Sequence, residues 1–233
     1  NELPEPRRAE IVEKLSIADE EMVRWSDISE QMFIPFHADP VTGAEVISQF
    51  EGYEELAELD WHGLIERHGN VSRLDRIMEA EDDSVNNYQA SKQADVLMLP
   101  YLLSASELEE MLAQLGYNWT TDQLPATIDY YLERTSHGST LSTVVHAWVL
   151  ARSQRADAIG YLDRTLRADL ELAQAGTTSE GIHLAGMAGA IDVVQRCFGG
   201  IEVRAGALWF DPMWPVEFGA LEFTLRYRRH TLL

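Results

Sequence analysis

The sequence predicts a mainly α-helical chain that ends in a few β-strands. Apolar residues recur at helical spacing along most of the stretch between Ser84 and Phe198, and the joining loops are short. After CFGG the pattern changes to an alternation with period two, in IEVRAGALWFDP and ALEFTLRYRR, which is typical of strands. Two or three strands make a poor sheet by themselves, so they need more strands or a helical surface to cover them. Helical hairpins in series can close into a toroid or stack as a bundle, and the period alone favours neither.

The first part of the chain is less regular. Residues 17–28 fit a helix. Residues 36–53, FHADPVTGAEVISQFEGY, contain proline and glycine and predict a loop, followed by a short extended piece over residues 46–50.

A series of helices is then expected. The first three cover residues 85–99, ended by Pro100, residues 107–115, closed by Gly116, and residues 121–133. Two apolar stripes at helical spacing follow: Leu141, Val144, Val145 and Trp148, and then Ile159, Leu162, Leu166 and Leu170.

The last predicted helix covers residues 179–198. Thr177 is its expected N-cap and Glu180, three residues on, completes a capping box, which accounts for Glu180 without a catalytic role. Gly186 and Gly189 each weaken a helix by about 1 kcal/mol relative to alanine. We therefore expect a neighbouring helix or a ligand to approach closely there.

The charge balance argues against two classes of partner. The 233 residues carry a formal net charge of -21, which repels nucleic acid and anionic membranes. Any anion site must therefore be local and built from oriented donors. A single cysteine, Cys197, excludes an intrachain disulfide and fits a reducing, cytoplasmic location. No apolar run reaches the length of a membrane span, and the seven histidines form no metal-binding pattern.

The stretch TSHGSTLS has the residues of an anion cradle. Gly138 permits a tight turn, and Ser139 or Thr140 can cap the helix that follows. The first N–H groups of a helix have no internal partners and its dipole is positive at that end. Together with His137 these groups fit an anion, and phosphate is the one that we expect. The alternative is an ordinary capped helix start with His137 as a bystander.

A second polar group lies in SKQADVLML. Lys92 and Gln93 precede an apolar run and could bind sugar hydroxyls if they lie at the inner end of a helix. The alternative is the solvated edge of that helix. His183 fits a core histidine.

Three blocks follow one another along the chain: KQADVLMLPYLL, RTSHGSTLSTVVHAWVLAR and GTTSEGIHLAGMAGAIDVVQRCFGGIEVRAGALWFDPMWP, with VISQFEGYEELAELDW upstream. They resemble glycoside hydrolase family 65, which includes maltose, trehalose and kojibiose phosphorylases and related hydrolases. The resemblance runs over about residues 45–228.

This resemblance implies the second half of an (α/α)6 barrel over residues 1–199 and the start of a small C-terminal β domain over residues 200–233. It implies inverting phosphorolysis of an α-linked glucose disaccharide, in which inorganic phosphate, the co-substrate, attacks the anomeric carbon and gives β-glucose 1-phosphate. His137, Ser139 and Thr140 match the phosphate loop. Lys92 and Gln93 match the residues that hold the glucosyl ring. No cofactor or metal is implied.

One departure from the family's pattern is important. The general acid of the family is a glutamate in a motif like GPDEY, upstream of the matched region, and no such motif occurs here. The chain also begins at Asn1 rather than Met. We therefore expect a fragment, a cleaved product or one chain of a split enzyme, inactive alone. A missing N-terminal half or a second chain would be its partner, and a homodimer is a further option. A family 65 hydrolase and a non-catalytic sugar-binding chain stay open as alternatives.

Overall fold

The computed structural model describes residues 3–151, 154–170, 181–204 and 206–232. It confirms a helix-rich chain with short strands in two-stranded sheets. Across these ranges no helix is both long and apolar enough to cross a bilayer. The α-helices are α1 (Glu5–Leu15), α2 (Asp19–Glu30), α3 (Trp61–His68), α4 (Leu74–Ala80), α5 (Met98–Leu102), α6 (Ala105–Gln114), α7 (Leu124–Leu132), α8 (Thr140–Leu150), α9 (Arg155–Arg167) and α10 (Leu184–Asp192). The strands are β1 (Phe36–Ala38), β2 (Glu45–Ile47), β3 (Ile201–Arg204), β4 (Ala207–Phe210), β5 (Leu225–Tyr227) and β6 (His230–Leu232).

The first hairpin lies partly where the sequence predicted a loop. β1 pairs antiparallel with β2, with His37 opposite Val46. The turn between them is closed by the Asp39 N–H, which donates to the Ala44 carbonyl at 2.8 Å. Gly43 adopts φ 72° there, a backbone conformation that favours glycine.

The predicted helix over residues 85–99 is wrong. Val85–Asn87 forms one 3₁₀ turn, and the following residues up to α5 are not helical. The physical reason is that backbone N–H groups of this segment donate to carbonyls of distant segments, and so are not free to form helical hydrogen bonds. The Gln89 N–H donates to Ala57 O, and the Ser91 N–H donates to Arg134 O, both at 2.8 Å.

The absence of this helix changes the positions of Lys92, Gln93 and Pro100. Lys92 and Gln93 lie in a loop before α5 and not on a helix. Pro100, expected to end a helix, lies within the first turn of α5, where the absent N–H breaks no helical hydrogen bond.

Helix α8 lies between the two largest apolar clusters of the described chain. Val145 belongs to a cluster with residues of β2 and α7, while Val144 belongs to a cluster with residues of α9 and α10. In the second predicted stripe, Leu162 on α9 is buried as expected, but Leu166 is 47% exposed and Leu170, beyond the end of α9, is 82% exposed.

The predicted close approach at the glycines of α10 is confirmed. A Cβ built on Gly186 would lie 3.2 Å from Thr140 Oγ1, and one built on Gly189 would lie 2.7 Å from Val144 Cγ1. Gly186 contacts Thr140, and Gly189, further along α10, contacts Val144, further along α8. The two helices therefore run in the same direction. Their N-termini therefore lie side by side.

The last helix begins later than expected, at Leu184, and continues as a π-helical turn over Val193–Phe198. The predicted capping residues Thr177 and Glu180 lie outside the described residues. The first period-two segment forms a hairpin in which β3 pairs antiparallel with β4. The second contains β5, which pairs antiparallel with β6 directly after the segment.

Candidate functional site

The two polar segments singled out in the sequence are joined backbone to backbone. The Ser91 N–H donates to Arg134 O, the Ser136 N–H donates to Ser91 O, and the Gly138 N–H donates to Lys92 O, each at 2.8 Å. The predicted sugar-binding and phosphate-binding segments therefore form one local unit.

Arg134, whose backbone carbonyl accepts from Ser91 in this unit, also has a well-packed side chain. It is buried, its Nη2 donates to Glu58 Oε1 at 2.7 Å, and its guanidinium lies 3.9 Å from the ring centroid of Tyr130. A buried guanidinium with both an anionic partner and an aromatic face is well compensated.

Gly138 is required by close packing. A Cβ at this position would lie 2.5 Å from Ser72 O and 2.9 Å from Lys92 Cγ. The preceding residue, His137, adopts φ 55°, which is uncommon for a residue with a Cβ. The turn ahead of α8 is therefore tightly constrained.

The ring of His137 makes two contacts within the protein. Its Nδ1 lies 3.0 Å from Ser142 Oγ, and its Nε2 lies 3.2 Å from the hydroxyl of Tyr161. Burial, together with the neighbouring His146 and Arg164, lowers the pKa of His137 to about 3. The imidazole is consequently neutral near pH 7.

The two hydroxyl residues of the loop differ in their surroundings. Ser139 is the N-cap residue of α8, yet its side chain makes no capping hydrogen bond to that helix. Thr140 is 7% exposed and its side chain packs against Gly186 in the first turn of α10. The start of α8 thus carries a hydroxyl that the helix itself does not use, next to a second helix N-terminus.

Lys92 is half exposed, and its Nζ lies 3.2 Å from Asp75 Oδ2. Burial acts to raise the pKa of Asp75, but the hydrogen bonds from Lys92 and the Arg76 N–H, together with the positive charges of Lys92 and Arg73, outweigh it, and the pKa lies below its usual value. Gln93 is exposed beside it. The amide of Gln49 accepts from Ser91 Oγ at 2.9 Å and so connects the upstream segment to this loop.

Sequence reasoning missed Asp75, His146 and Tyr161. Asp75 belongs to no motif. Tyr161 is 24 residues from the histidine it contacts, so only the packing of α9 on α8 reveals the pair. The one available signal was the helical spacing of Tyr161 and Thr165, which places two hydroxyls on one face of α9.

Two features lie apart from this loop. A cavity of about 550 Å³ opens at the other end of α8, lined in part by Tyr101, Trp148 and Arg196, and no predicted site residue lines it. Within the described ranges, no three His, Cys, Asp or Glu side chains are grouped so as to hold a metal ion.

Comparison with known sequences gives the family. Residues 1–192 match the glycosyl hydrolase family 65 central catalytic domain, and residues 201–233 match the C-terminal domain of the same family. The chain belongs to glycoside hydrolase family 65. The family 65 resemblance of the sequence motifs is thereby confirmed.

This family 65 chain is similar to two curated proteins and to one solved structure. An uncharacterized glycosyl hydrolase of Mycobacterium tuberculosis (strain H37Rv) is 57% identical over 99% of the chain and 17% of its own length. Trehalose 6-phosphate phosphorylase of Lactococcus lactis is 36% identical over 78% of the chain and 24% of its own length. The solved structure of a putative kojibiose phosphorylase from the human microbiome matches with a TM-score of 0.69 and 22% identity, over 95% of the chain and 30% of that protein. The chain therefore spans a quarter or less of the length of the Mycobacterium tuberculosis and Lactococcus lactis proteins.

Proposed function

We propose that this chain is the phosphate-binding and glucosyl-binding part of an inverting α-glucoside phosphorylase. Inorganic phosphate binds to the loop of His137, Ser139 and Thr140 and to the first N–H groups of α8. Lys92 and Gln93 hold the glucosyl ring. Phosphate attacks the anomeric carbon, and the products are β-glucose 1-phosphate and a free sugar.

The observation that carries this proposal is the pair of parallel helix starts, α8 at Thr140 and α10 at Leu184, which are in contact where Thr140 packs on Gly186. Each helix N-terminus has N–H groups without intrahelical partners and carries about half a unit of positive charge. At α10 the carboxylate of Asp169 already accepts from the His183 N–H at 2.8 Å, so the start of α8 is the positive end that a bound anion would compensate. In a chain of net charge -21, such a focused positive site is where an anion can be held.

The adjacency of Lys92 to the loop supports a shared site for sugar and phosphate. The Gly138 N–H to Lys92 O hydrogen bond places the two segments in direct contact. An attacking phosphate must lie next to the anomeric carbon, so the residues that hold the two substrates need this proximity.

The general acid is supplied from outside this chain in our proposal, by an N-terminal part of the protein or by a second chain. Neither α1 nor α2 contains a buried residue, and α2 exposes Met22, Trp25 and Ile28. Such an apolar helix face favours an assembly that covers it. A homodimer is a further option. The helices then form part of an (α/α)6 barrel in a cytoplasmic enzyme that needs no cofactor or metal.

The direct test supplies the whole protein that carries this chain with trehalose, kojibiose, maltose, nigerose or trehalose 6-phosphate, with and without phosphate. We expect phosphate-dependent release of β-glucose 1-phosphate from one of them, identified by NMR. Release of glucose without any phosphate requirement would favour the hydrolase alternative. Sugar binding with no turnover would favour the non-catalytic alternative.

A pair of variants tests the loop itself. In the whole enzyme, Ser139→Ala should raise the KM for phosphate about ten- to a hundred-fold, the range of a hydrogen bond to a charged group, and change the KM for the disaccharide far less. Ser104→Ala is the matched control because Ser104 caps α6 through its hydroxyl. It should lower stability but leave the phosphate KM unchanged.

A further inference from the structure

A group of three aromatic rings lies behind the loop that we assign to phosphate. The ring centroids of His137 and His146 are 4.4 Å apart, and Tyr161 lies 5.1 Å from His137 and 5.2 Å from His146. We call these three residues the ring cluster. His137 precedes α8, His146 lies on α8 and Tyr161 lies on α9, so the cluster fills the junction of the loop with two helices.

The hydrogen bonds of the ring cluster converge on Ser142. The Nδ1 of His146 lies 2.7 Å from Ser142 O, and because a carbonyl only accepts, this nitrogen carries the proton. The Oγ of the same serine lies 3.0 Å from the Nδ1 of His137. His137 is thus fixed to the first turn of α8 on one side of its ring.

On the other side of the ring, only Tyr161 fixes His137 among the described residues. The phenol hydroxyl is 3.2 Å from His137 Nε2. The helix that carries Tyr161 is held against α8, since Thr165 Oγ1 donates to Tyr161 O at 2.9 Å and lies 2.7 Å from Thr143 Oγ1 on α8. These hydrogen bonds fix the backbone of Tyr161 relative to α8.

The backbone at His137 needs such support. A φ of 55° is disfavoured for any residue with a Cβ, and it persists only where the surroundings fix it. His137 directly precedes Gly138 and Ser139, so its backbone determines how the Ser139 hydroxyl and the first N–H groups of α8 are presented.

We propose that Tyr161 is a positioning residue of the phosphate site, whose hydroxyl holds the His137 ring and thereby fixes the loop that presents Ser139 and the start of α8. This inference rests on the proposed function. It assigns to α9 a role in anion binding without any contact between Tyr161 and the anion. The low pKa of His137 agrees with it, because a buried neutral ring supports the loop by packing and hydrogen bonding and not by a positive charge.

The test compares Tyr161→Phe with Tyr101→Phe in the whole enzyme. Tyr101 is a matched control because its hydroxyl also makes one part-buried hydrogen bond, to Asp192 Oδ2 at 3.0 Å, but it packs on Trp148 near the far end of α8. We expect Tyr161→Phe to raise the KM for phosphate about tenfold, as the loss of one hydrogen bond would. The KM for the disaccharide should change less than about twofold, and Tyr101→Phe should leave both values unchanged.

A merely structural role for Tyr161 predicts a different result. It would lower kcat, or raise both KM values equally, or give the same effect in the two Phe variants, and any of these outcomes overturns the inference. The same holds if the phosphate KM of Tyr161→Phe equals that of the wild type.

A second measurement separates this inference from the proposed function. Inorganic phosphate is titrated into the wild-type enzyme and Tyr161→Phe while the ring ¹⁵N resonances of the histidines are followed. We expect the Nε2 resonance of His137 to shift in the variant even without phosphate, as its hydrogen bond is lost. If the wild type binds no phosphate, the proposed function and the inference both fail. If it binds phosphate with the same affinity as the variant, only the role of Tyr161 fails.

Discussion

The backbone N–H of Gly138 donates to the carbonyl of Lys92 at 2.8 Å. This hydrogen bond joins two segments that are separated by more than forty residues and that we propose to bind different substrates. The contact depends on the absence of a side chain at position 138, since Ser72 O and Lys92 Cγ occupy the space that a Cβ would need.

Replacing Gly138 with alanine should therefore destabilise the chain. The new Cβ would lie 2.5 Å from a backbone oxygen, so the loop must shift, and we expect a loss of about 1–3 kcal/mol in unfolding free energy. Gly160→Ala is the control, because its Cβ meets nothing within 4 Å on helix α9. It should stabilise the helix by about 0.5–1 kcal/mol. Urea unfolding of both variants measures the two changes, and equal signs would contradict the packing at Gly138.

The contact between α8 and α10 predicts a rescue. Gly189→Ala places a Cβ 2.7 Å from Val144 Cγ1, and we expect a cost of about 1–3 kcal/mol from overpacking. Val144→Ala alone should also destabilise, by removing buried methyl groups. In the double variant the new methyl fills part of the space, so the combined loss should be smaller than the sum by about 0.5–3 kcal/mol. Additive losses in a double-mutant cycle would argue against direct contact of the helices.

The buried histidines predict a pH dependence of stability. Burial lowers the pKa of His137 to about 3 and of His146 to about 4, whereas an unfolded chain has histidine pKa values near 6.5. The unfolded state therefore binds more protons below pH 6.5, and the stabilisation present above that pH is lost as the pH falls towards 4. Each ring contributes a slope of up to about 1.4 kcal/mol per pH unit.

His137→Asn isolates one of these contributions, since asparagine tolerates the positive φ. Between pH 6 and 4.5 the variant should lose about 1.4 kcal/mol per pH unit less than the wild type. His62→Asn is the control because that side chain is 84% exposed and stays in water in both states. Urea unfolding at several pH values gives the slopes. An unchanged slope in His137→Asn would place its ring in water.

Lys92→Ala should separate sugar binding from stability. Its ion pair with Asp75 is half exposed, so its loss should cost less than about 1 kcal/mol of unfolding free energy. In the whole enzyme, the KM for the disaccharide should rise roughly ten- to a hundred-fold, the range of hydrogen bonds from a charged donor. Lys14→Ala, on the exposed helix α1, should alter neither quantity. An unchanged disaccharide KM in Lys92→Ala would remove Lys92 from the sugar site.

Local signals in the sequence predicted some features of the site and not others. The start of α8 was predictable because a small polar residue before an apolar stripe is a local helix signal, and Ser139 is the N-cap residue. A close approach by a helix or a ligand at Gly186 and Gly189 was also predictable, since glycines within a helix are costly unless something packs there; that the neighbour is α8 was not. Both inferences use neighbours in sequence.

The failures come from contacts between distant segments. Residues 85–99 have a helical period, but Gln89 and Ser91 donate their N–H groups to Ala57 and Arg134, which no periodicity reveals. For the same reason the partner of His137 could not be read from its motif, because Tyr161 reaches it only through the packing of α9.

The hydrogen bond between Gly138 and Lys92 has a thermodynamic consequence. A ligand that shifts or holds the loop at Gly138 also acts on the backbone of Lys92, because the hydrogen bond couples the two segments. Occupancy by phosphate should then tighten the binding of the sugar, and reciprocity requires that the sugar tighten the binding of phosphate by the same factor. The short backbone link would thus make the two substrates bind cooperatively in either order.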